Sequence, residues 1–132
     1  MCEYLSPEMG DGVNAVSTLG LAHVGDAVFE LMVRTWLCTQ GVTSAKQLHG
    51  GAVELVSAKA QAASAGRLAP ELCEEEHAVF KRGRNAHPNS IPRASTHEEY
   101  HAATGIEALF GYLYLKGETR RLGELFEIII RE

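Results

Sequence analysis

The sequence predicts an all-α protein that folds as a single domain. Apolar residues recur at helical spacing along almost the whole chain, and no run alternates between apolar and polar residues over the length of a strand. With 132 residues and 45% hydrophobic content, the chain can bury one sizeable core but is too short for two ordinary domains. We expect one helical domain over residues 1–132 with about six helices, a flexible segment at residues 1–12 and an exposed basic loop at residues 83–94.

The first predicted helix follows a short N-terminal segment. Ser17 or Thr18 can serve as its N-cap, because a hydroxyl oxygen accepts a hydrogen bond from a free backbone N–H of the first turn. Apolar residues then continue at helical spacing to about Thr39, and Gly41 follows as a stop signal. Gly25 is predicted to interrupt this helix, since glycine is a poor helix former.

The second and third predicted helices meet at a proline. The second begins near Ser44, continues through VELVSAKAQAASAGRL, whose small residues permit close helix packing, and ends before Pro70. The third covers roughly Pro70 to Lys81, where acidic residues in the first turn suit the positive end of the helix dipole. The segment RGRNAHPNSIPRAS then breaks the pattern with a glycine and two prolines, which predicts an exposed loop.

Two more helices are predicted after this loop. Ser95 or Thr96 can cap the first of them, which carries HEEYHAATGIEALFGYLYL to about Lys116. Gly117 marks a turn. The final helix carries an apolar stripe that consists of Leu122, Leu125, Phe126, Ile129 and Ile130.

The distribution of charge is more informative than the net charge of −5. A negative net charge would by itself count against a nucleic-acid partner, because Lys and Arg side chains drive binding to phosphates. The stretch from His77 to His97 nevertheless contains no Asp or Glu, and its basic residues are Lys81, Arg82, Arg84 and Arg93. This segregated basic segment predicts a surface that binds nucleic acid.

No membrane partner and no disulfide framework are predicted. The N-terminal sequence MCEYLSPEMGDG is acidic where a signal peptide would be basic and then apolar, and no apolar run approaches the length of a membrane span. The three cysteines are widely spaced and form no CxxC pair. We therefore expect a soluble, cytoplasmic protein.

Glu107 and Asp26 are the acids whose surroundings need an explanation. The residues three and four positions from Glu107 include no base, so a charge there must be paired, neutralised or bound to a metal. The only charged residue one turn from Asp26 is Glu30, which has the same sign and is spaced to pair with Arg34. Spacing alone leaves open a distant salt bridge for Glu107 and a helix-capping role for Asp26.

A hard cation shared by the two carboxylates would explain both acids. Oxygen ligands favour Mg²⁺ or Mn²⁺. Cleavage of an RNA phosphodiester needs an activated water and stabilisation of charge on the phosphoryl oxygens, and a carboxylate-held cation supplies both. The pattern therefore indicates a metal-dependent nuclease in which Asp26 and Glu107 are the catalytic and metal-binding residues. Such a site would recognise the shape of A-form RNA more than its sequence.

Four ordered motifs resemble a known family. LAHVGDAVFELMVR, VSAKAQA, KRGRNA and TGIEALFGYLYL together look like the Mini-ribonuclease III family, and they span nearly the whole chain. GDAV followed much later by EAL-G is similar to the signature of ribonuclease III catalytic domains. The segments VSAKAQA and RGRNA resemble the mini branch in particular.

The resemblance implies a ribonuclease III-type endonuclease domain without a double-stranded-RNA-binding domain. It implies a homodimer that hydrolyses double-stranded RNA with Mg²⁺, for which Mn²⁺ can substitute, and that matures the ends of the 23S ribosomal RNA precursor. Asp26 matches the catalytic aspartate of the family, and Glu107 matches its catalytic, metal-binding glutamate. The residues expected to contact RNA are Lys59, Lys81, Arg82, Arg84, Asn85 and His87.

Two positions depart from the wider ribonuclease III pattern. Full-length enzymes of that class carry further acids where this sequence has Ala22 and Thr104. The mini branch also lacks acids at these two positions. The number of bound ions therefore stays open. We expect water and the Thr104 hydroxyl to complete the coordination.

Two alternative functions also stay open. His97, Glu98 and His101 match HExxH, a zinc-peptidase pattern in which two histidines one helical turn apart bind the metal, and Glu107 could act as a third ligand. A non-catalytic helical RNA-binding or ribosome-assembly protein would instead use the basic loop alone, with Asp26 and Glu107 as structural acids.

Overall fold

The computed structural model describes residues 2–86 and 96–131, and every regular element in those ranges is helical. Short 3-10 turns occupy Gly10–Ala15 and Ala69–Glu71. The α-helices of the described ranges are α1 (Thr18–Thr39), α2 (Ala45–Val56), α3 (Ala58–Leu68), α4 (Glu74–Arg84), α5 (His97–Lys116) and α6 (Thr119–Ile130). The predicted all-α fold is confirmed. Within these ranges no helix combines the length and the apolarity needed to cross a membrane.

Helix ends follow local signals in the sequence. The side-chain oxygens of Ser17 and Ser44 each accept a hydrogen bond from the backbone N–H three residues later, at 3.0 and 3.2 Å. Thr96 and Glu99 form a reciprocal capping box at the start of α5. Helix α5 ends at Gly117, whose φ of +99° lies in the left-handed region that favours glycine. The predicted caps at these positions are confirmed.

The second predicted helix is in fact two helices, α2 and α3. Ser57 lies between them in an extended conformation, with φ −62° and ψ 152°. Its hydroxyl oxygen accepts a hydrogen bond from the Ala60 N–H at 3.2 Å and so caps α3. The prediction of one continuous helix is wrong because this serine stabilises a new helix start more than it favours the helix interior.

The third predicted helix is shifted along the chain. Helix α4 begins at Glu74, because Pro70 lies in a 3-10 turn and Cys73 occupies the N-cap position. Its end at Arg84 corrects the predicted loop boundary at residue 83. Gly83 stays helical and is buried against α5, where a Cβ would lie 2.7 Å from the Cβ of Ala108. Residues 87–94 of the predicted loop lie outside the described residues.

Helix α5 runs through the centre of the domain. All residues from 103 to 113 are buried except Glu107, which is half-buried. A helix that is buried on nearly every side must be surrounded by others, and α1, α3 and α4 pack around α5. Phe29 of α1 contacts Phe110 of α5 edge-to-face, with ring centroids 5.3 Å apart.

The segment before α1 lies against the end of α5. The backbone N–H of Met9 donates to the carbonyl oxygen of Leu115 at 2.9 Å, and Val13 is 1% exposed. The expected flexibility of residues 1–12 stays a prediction.

Helices α1 and α5 touch backbone to backbone at two glycines. A Cβ on Gly25 would lie 1.6 Å from the carbonyl oxygen of Glu107, and a Cβ on Gly111 would lie 2.0 Å from the carbonyl oxygen of Leu21. Helix α1 is continuous through Gly25, so the predicted interruption there is wrong. The glycine serves close packing between helices.

A buried ion pair joins the start of α4 to α6. The Glu76 side chain is 6% exposed, and its two carboxylate oxygens accept hydrogen bonds from Arg121 at 2.8 and 2.9 Å. These bonds hold the pKa of the Glu76 carboxyl below its usual range. We expect Glu76→Gln to lower the free energy of unfolding by about 2 kcal/mol, because it removes the buried one of the two carboxylates that pair with Arg121. Chemical denaturation near pH 7 measures the loss.

The matched control is Glu124→Gln, which removes a second, 52% exposed partner of Arg121 at 3.2 Å. Its expected cost is below about 0.5 kcal/mol. Because the folded pKa of Glu76 is lowered, its contribution is complete above the unfolded value and is lost as the pH falls through the folded value. Equal losses in the two variants would contradict this assignment.

Candidate active site

The contact between α1 and α5 brings Asp26 and Glu107 together. Asp26 directly follows Gly25, whose Cα lies against the carbonyl group of Glu107. Asp26 is exposed, whereas Glu107 is half-buried in the central helix. Because α1 continues through this region, Asp26 does not cap a helix start. The two predicted acids therefore lie at one crossing point of two helices.

Glu107 is an acid for which the described residues provide no basic partner. Burial raises the pKa of Glu107 to about 8, the negative charge of Asp26 adds to the rise, and hydrogen bonding from Gln61 opposes it. In residues 2–86 and 96–131 no Lys or Arg forms a salt bridge with either acid. The distant Arg121 pairs with Glu76 instead, so the described residues do not provide the salt bridge that the sequence left open for Glu107.

The donor set fits a hard divalent cation. Two neighbouring carboxylates repel each other, and a shared cation removes that repulsion and neutralises the half-buried charge. Oxygen donors suit Mg²⁺ or Mn²⁺ better than softer metals. Within the part of the chain that the structure describes, no group of three or more His, Cys, Asp or Glu side chains could hold a metal, so Asp26 and Glu107 form a sparse acidic site.

Gln61 adjoins this site, and Thr104 precedes Glu107 by three residues on α5. Gln61 of α3 is 2% exposed, and its amide Nε2 donates to the Val56 carbonyl oxygen at 2.9 Å. The sequence interpretation missed Gln61, although a glutamine in the small-residue stripe of α3 was a usable signal. Thr104 is 5% exposed, and its hydroxyl donates to the Tyr100 carbonyl oxygen at 3.0 Å. The expected contribution of the Thr104 hydroxyl to the coordination stays a prediction.

The described members of the predicted RNA-contacting set lie on or next to two helices. Lys59 is exposed in the first turn of α3. His87 lies outside the described residues. The remaining four are exposed at the end of α4: Lys81, Arg82, Arg84 and Asn85.

Two of these basic residues face different cavities. Arg82 lines a cavity of about 380 Å³ together with Ser17 and Thr18 at the start of α1. Arg84 lines another of about 360 Å³ with His101 at the start of α5. The basic surface therefore wraps around the end of α4.

The HExxH residues form no three-ligand site in the described structure. His97 and His101 lie one turn apart at the start of α5, with ring centroids 6.4 Å apart. Glu107 does not join them, since no group of three potential ligands exists among the described residues. The geometry gives no support to the zinc-peptidase alternative.

Comparison with known proteins identifies the family. Residues 19–118 match the ribonuclease III domain. Mini-ribonuclease 3 from Thermoanaerobacter sp. is 43% identical over 92% of this chain and 85% of its own length, and Mini-ribonuclease 3 from Symbiobacterium thermophilum is 45% identical over 83% and 84%. A crystal structure of a Fusobacterium nucleatum protein superposes with a TM-score of 0.81 at 30% identity, covering 89% of this chain and 96% of that one. The chain thus belongs to the ribonuclease III domain family, in its Mini-ribonuclease 3 group, and is an endoribonuclease.

Proposed function

We propose that this endoribonuclease cleaves double-stranded RNA in a Mg²⁺-dependent reaction, with Asp26 and Glu107 as its catalytic, metal-binding carboxylates. The observation that carries the proposal is the meeting of these two acids at the crossing of α1 and α5, without a basic partner in the described residues. Mn²⁺ is expected to substitute, because it accepts the same oxygen donors.

The two carboxylates differ in their burial and in how the fold positions them. Glu107 projects from the buried central helix, so packing holds its position. Asp26 is exposed and faces the side from which a substrate can approach. When bound, the cation supplies neutralisation of charge on the phosphoryl oxygens and a lowered pKa for the attacking water. The rigid helices keep both acids in place before substrate arrives.

Binding of the RNA backbone is proposed for four exposed basic residues, for the neighbouring Asn85, and for His87, which lies outside the described residues. The basic charges attract phosphates independently of sequence, which suits an enzyme that reads the shape of a duplex. The residues assigned to this surface are Lys59, Lys81, Arg82, Arg84, Asn85 and His87.

An apolar groove supports a homodimer. The groove has a volume of about 630 Å³ and is lined by Val24, Val28 and Leu31 of α1 and by Leu122 of α6. Leu31 is 55% exposed. Exposed apolar patches of this kind mark interaction surfaces, and a second copy could cover the groove with its own identical face around a twofold axis. The site of each protomer would then cut one strand of the duplex.

The substrate that we propose is the precursor of 23S ribosomal RNA, whose ends a cytoplasmic enzyme of this kind would mature. The test is incubation of the purified protein with Mg²⁺ and a large-subunit precursor, next to a simple duplex and its separated strands. We expect cuts on both strands of paired RNA, none in EDTA and none with Asp26→Asn. Mapping the ends of the products locates the cuts.

Two results would contradict parts of this proposal. Equal cleavage by Asp26→Asn and the parent would remove the catalytic assignment. Cleavage of the simple duplex with the precursor ends left intact would overturn the proposed ribosomal substrate.

A further inference from the structure

Gln61 contains a buried polar atom that has no partner in the described structure. The residue is 2% exposed, and its Oε1 forms no hydrogen bond with the described residues. Buried amide oxygens are normally paired, because an unpaired one loses its hydration without replacement. An unpaired oxygen inside a folded domain therefore needs an explanation.

The other end of this amide is held firmly. Its Nε2 donates to the carbonyl oxygen of Val56 at 2.9 Å. Val56 is the last residue of α2, where carbonyl groups lack a partner within their own helix. A carbonyl oxygen only accepts hydrogen bonds, so the N–H end must face Val56 and Oε1 must be the free end. This bond sets the orientation of Gln61 without any ligand.

The amide group that carries the free oxygen lies beside the acidic pair. The Gln61 side chain interacts with the carboxylate of Glu107, which in turn neighbours Asp26. Neutral amide oxygens bind hard divalent cations together with carboxylates. Gln61 could thus add an oxygen donor without adding a third negative charge to a half-buried site.

We propose that Oε1 of Gln61 is a third protein oxygen ligand of the cation held by Asp26 and Glu107. This inference rests on the proposed function, because it assumes that the two acids bind a cation. It explains the unpaired oxygen and supplements a site with only two acids. If Gln61 only capped the end of α2, its replacement would alter stability but not cation binding.

The test is titration of Mn²⁺ into the RNA-free protein, with electron paramagnetic resonance reporting the unbound ion. Gln61→Met keeps the length of the side chain and removes the oxygen, and we expect it to weaken Mn²⁺ binding by about tenfold. Gln61→Glu adds charge at the same place and is expected to tighten binding by about tenfold. The matched control is Gln47→Glu, which makes the same substitution at an exposed position of α2 and should leave the Kd within about twofold.

Asp26→Asn separates this inference from the proposed function. If the parent and Asp26→Asn bind Mn²⁺ equally, the two-acid site itself is wrong. If Asp26→Asn loses binding while Gln61→Met and Gln61→Glu match the parent, only the role of Gln61 is overturned. Thermal unfolding in EDTA checks that each variant folds. Should Gln61→Met be unfolded, Gln61→Glu decides: tighter binding supports the proposal, and unchanged or weaker binding overturns it.

Discussion

Glu107→Gln is expected to abolish RNA cleavage and, at the same time, to stabilise the metal-free protein. The substitution removes one of two carboxylates from the proposed cation site, so cleavage should fall by about 10³-fold or more. It also removes an ionisable carboxyl group that is half-buried beside Asp26. Burial first, and the Asp26 charge second, raise the pKa of Glu107 to about 8 in the folded protein.

The direction of the stability effect follows from proton binding. Between the unfolded pKa of 4.5 and the folded pKa of about 8, the unfolded chain ionises Glu107 and the folded protein keeps it protonated. Without metal, the parent should therefore lose stability as the pH rises through this window. Glu107→Gln should lack this contribution and exceed the parent by on the order of 2 kcal/mol near pH 7.5.

Denaturant unfolding in EDTA between pH 5 and 8, paired with a cleavage assay in Mg²⁺, measures both effects. The control is Glu30→Gln, which changes a partly exposed acid of α1 that pairs with Arg34 at 2.9 Å. It should alter stability by less than about 0.5 kcal/mol and leave cleavage unchanged. Retained cleavage by Glu107→Gln would disprove the catalytic assignment. If the metal-free variant were less stable than the parent near pH 7.5, the raised pKa of Glu107 would be disproved.

Gly25→Ala is expected to destabilise the protein by roughly 4 kcal/mol or more. Alanine favours a helix over glycine by about 1 kcal/mol, so propensity alone predicts a gain. The new Cβ would, however, lie 1.6 Å from the carbonyl oxygen of Glu107, and only separation of α1 from α5 can relieve that overlap. Gly111→Ala should behave alike, because its Cβ would lie 2.0 Å from the Leu21 carbonyl oxygen.

The control for these substitutions is Gly66→Ala. Gly66 is an exposed helical residue of α3, and a Cβ there would have no neighbour within 4 Å. This variant should gain about 0.5–1 kcal/mol from helix propensity. Thermal and denaturant unfolding of the three variants measures the contrast. A Gly25→Ala protein as stable as the parent would show that the contact between α1 and α5 can open at no cost.

The glycines mark the limit of the sequence-based fold prediction. Serine and threonine caps were recognised because each bonds to a backbone group three residues away. Gly25 was interpreted as a break, and Gly83 as part of a loop, because glycine favours both. Each is instead helical and lies against α5. Contact with a distant helix outweighs a propensity cost of about 1 kcal/mol.

The proposed active site also contains residues that the sequence predicts and residues that only the packing of helices reveals. Asp26 and Glu107 could be chosen from the sequence, since neither has a Lys or Arg one turn away. The partner of Glu76 could not be chosen, because Arg121 lies 45 residues further along the chain. Gln61 was missed because its burial and its free oxygen depend on neighbours that are set by packing.

The sequence by itself determined the helical class, most helix starts, the family and the two acids of the proposed site. These properties depend on residue types and on spacings within a few turns of one chain segment. Only the tertiary structure decided that α1 and α5 touch at Gly25 and Gly111, that Asp26 therefore meets Glu107, and that Gln61 lies beside them. Distances between remote residues depend on how helix surfaces pack, and the pKa of Glu107 and the environment of Gln61 both follow from that packing.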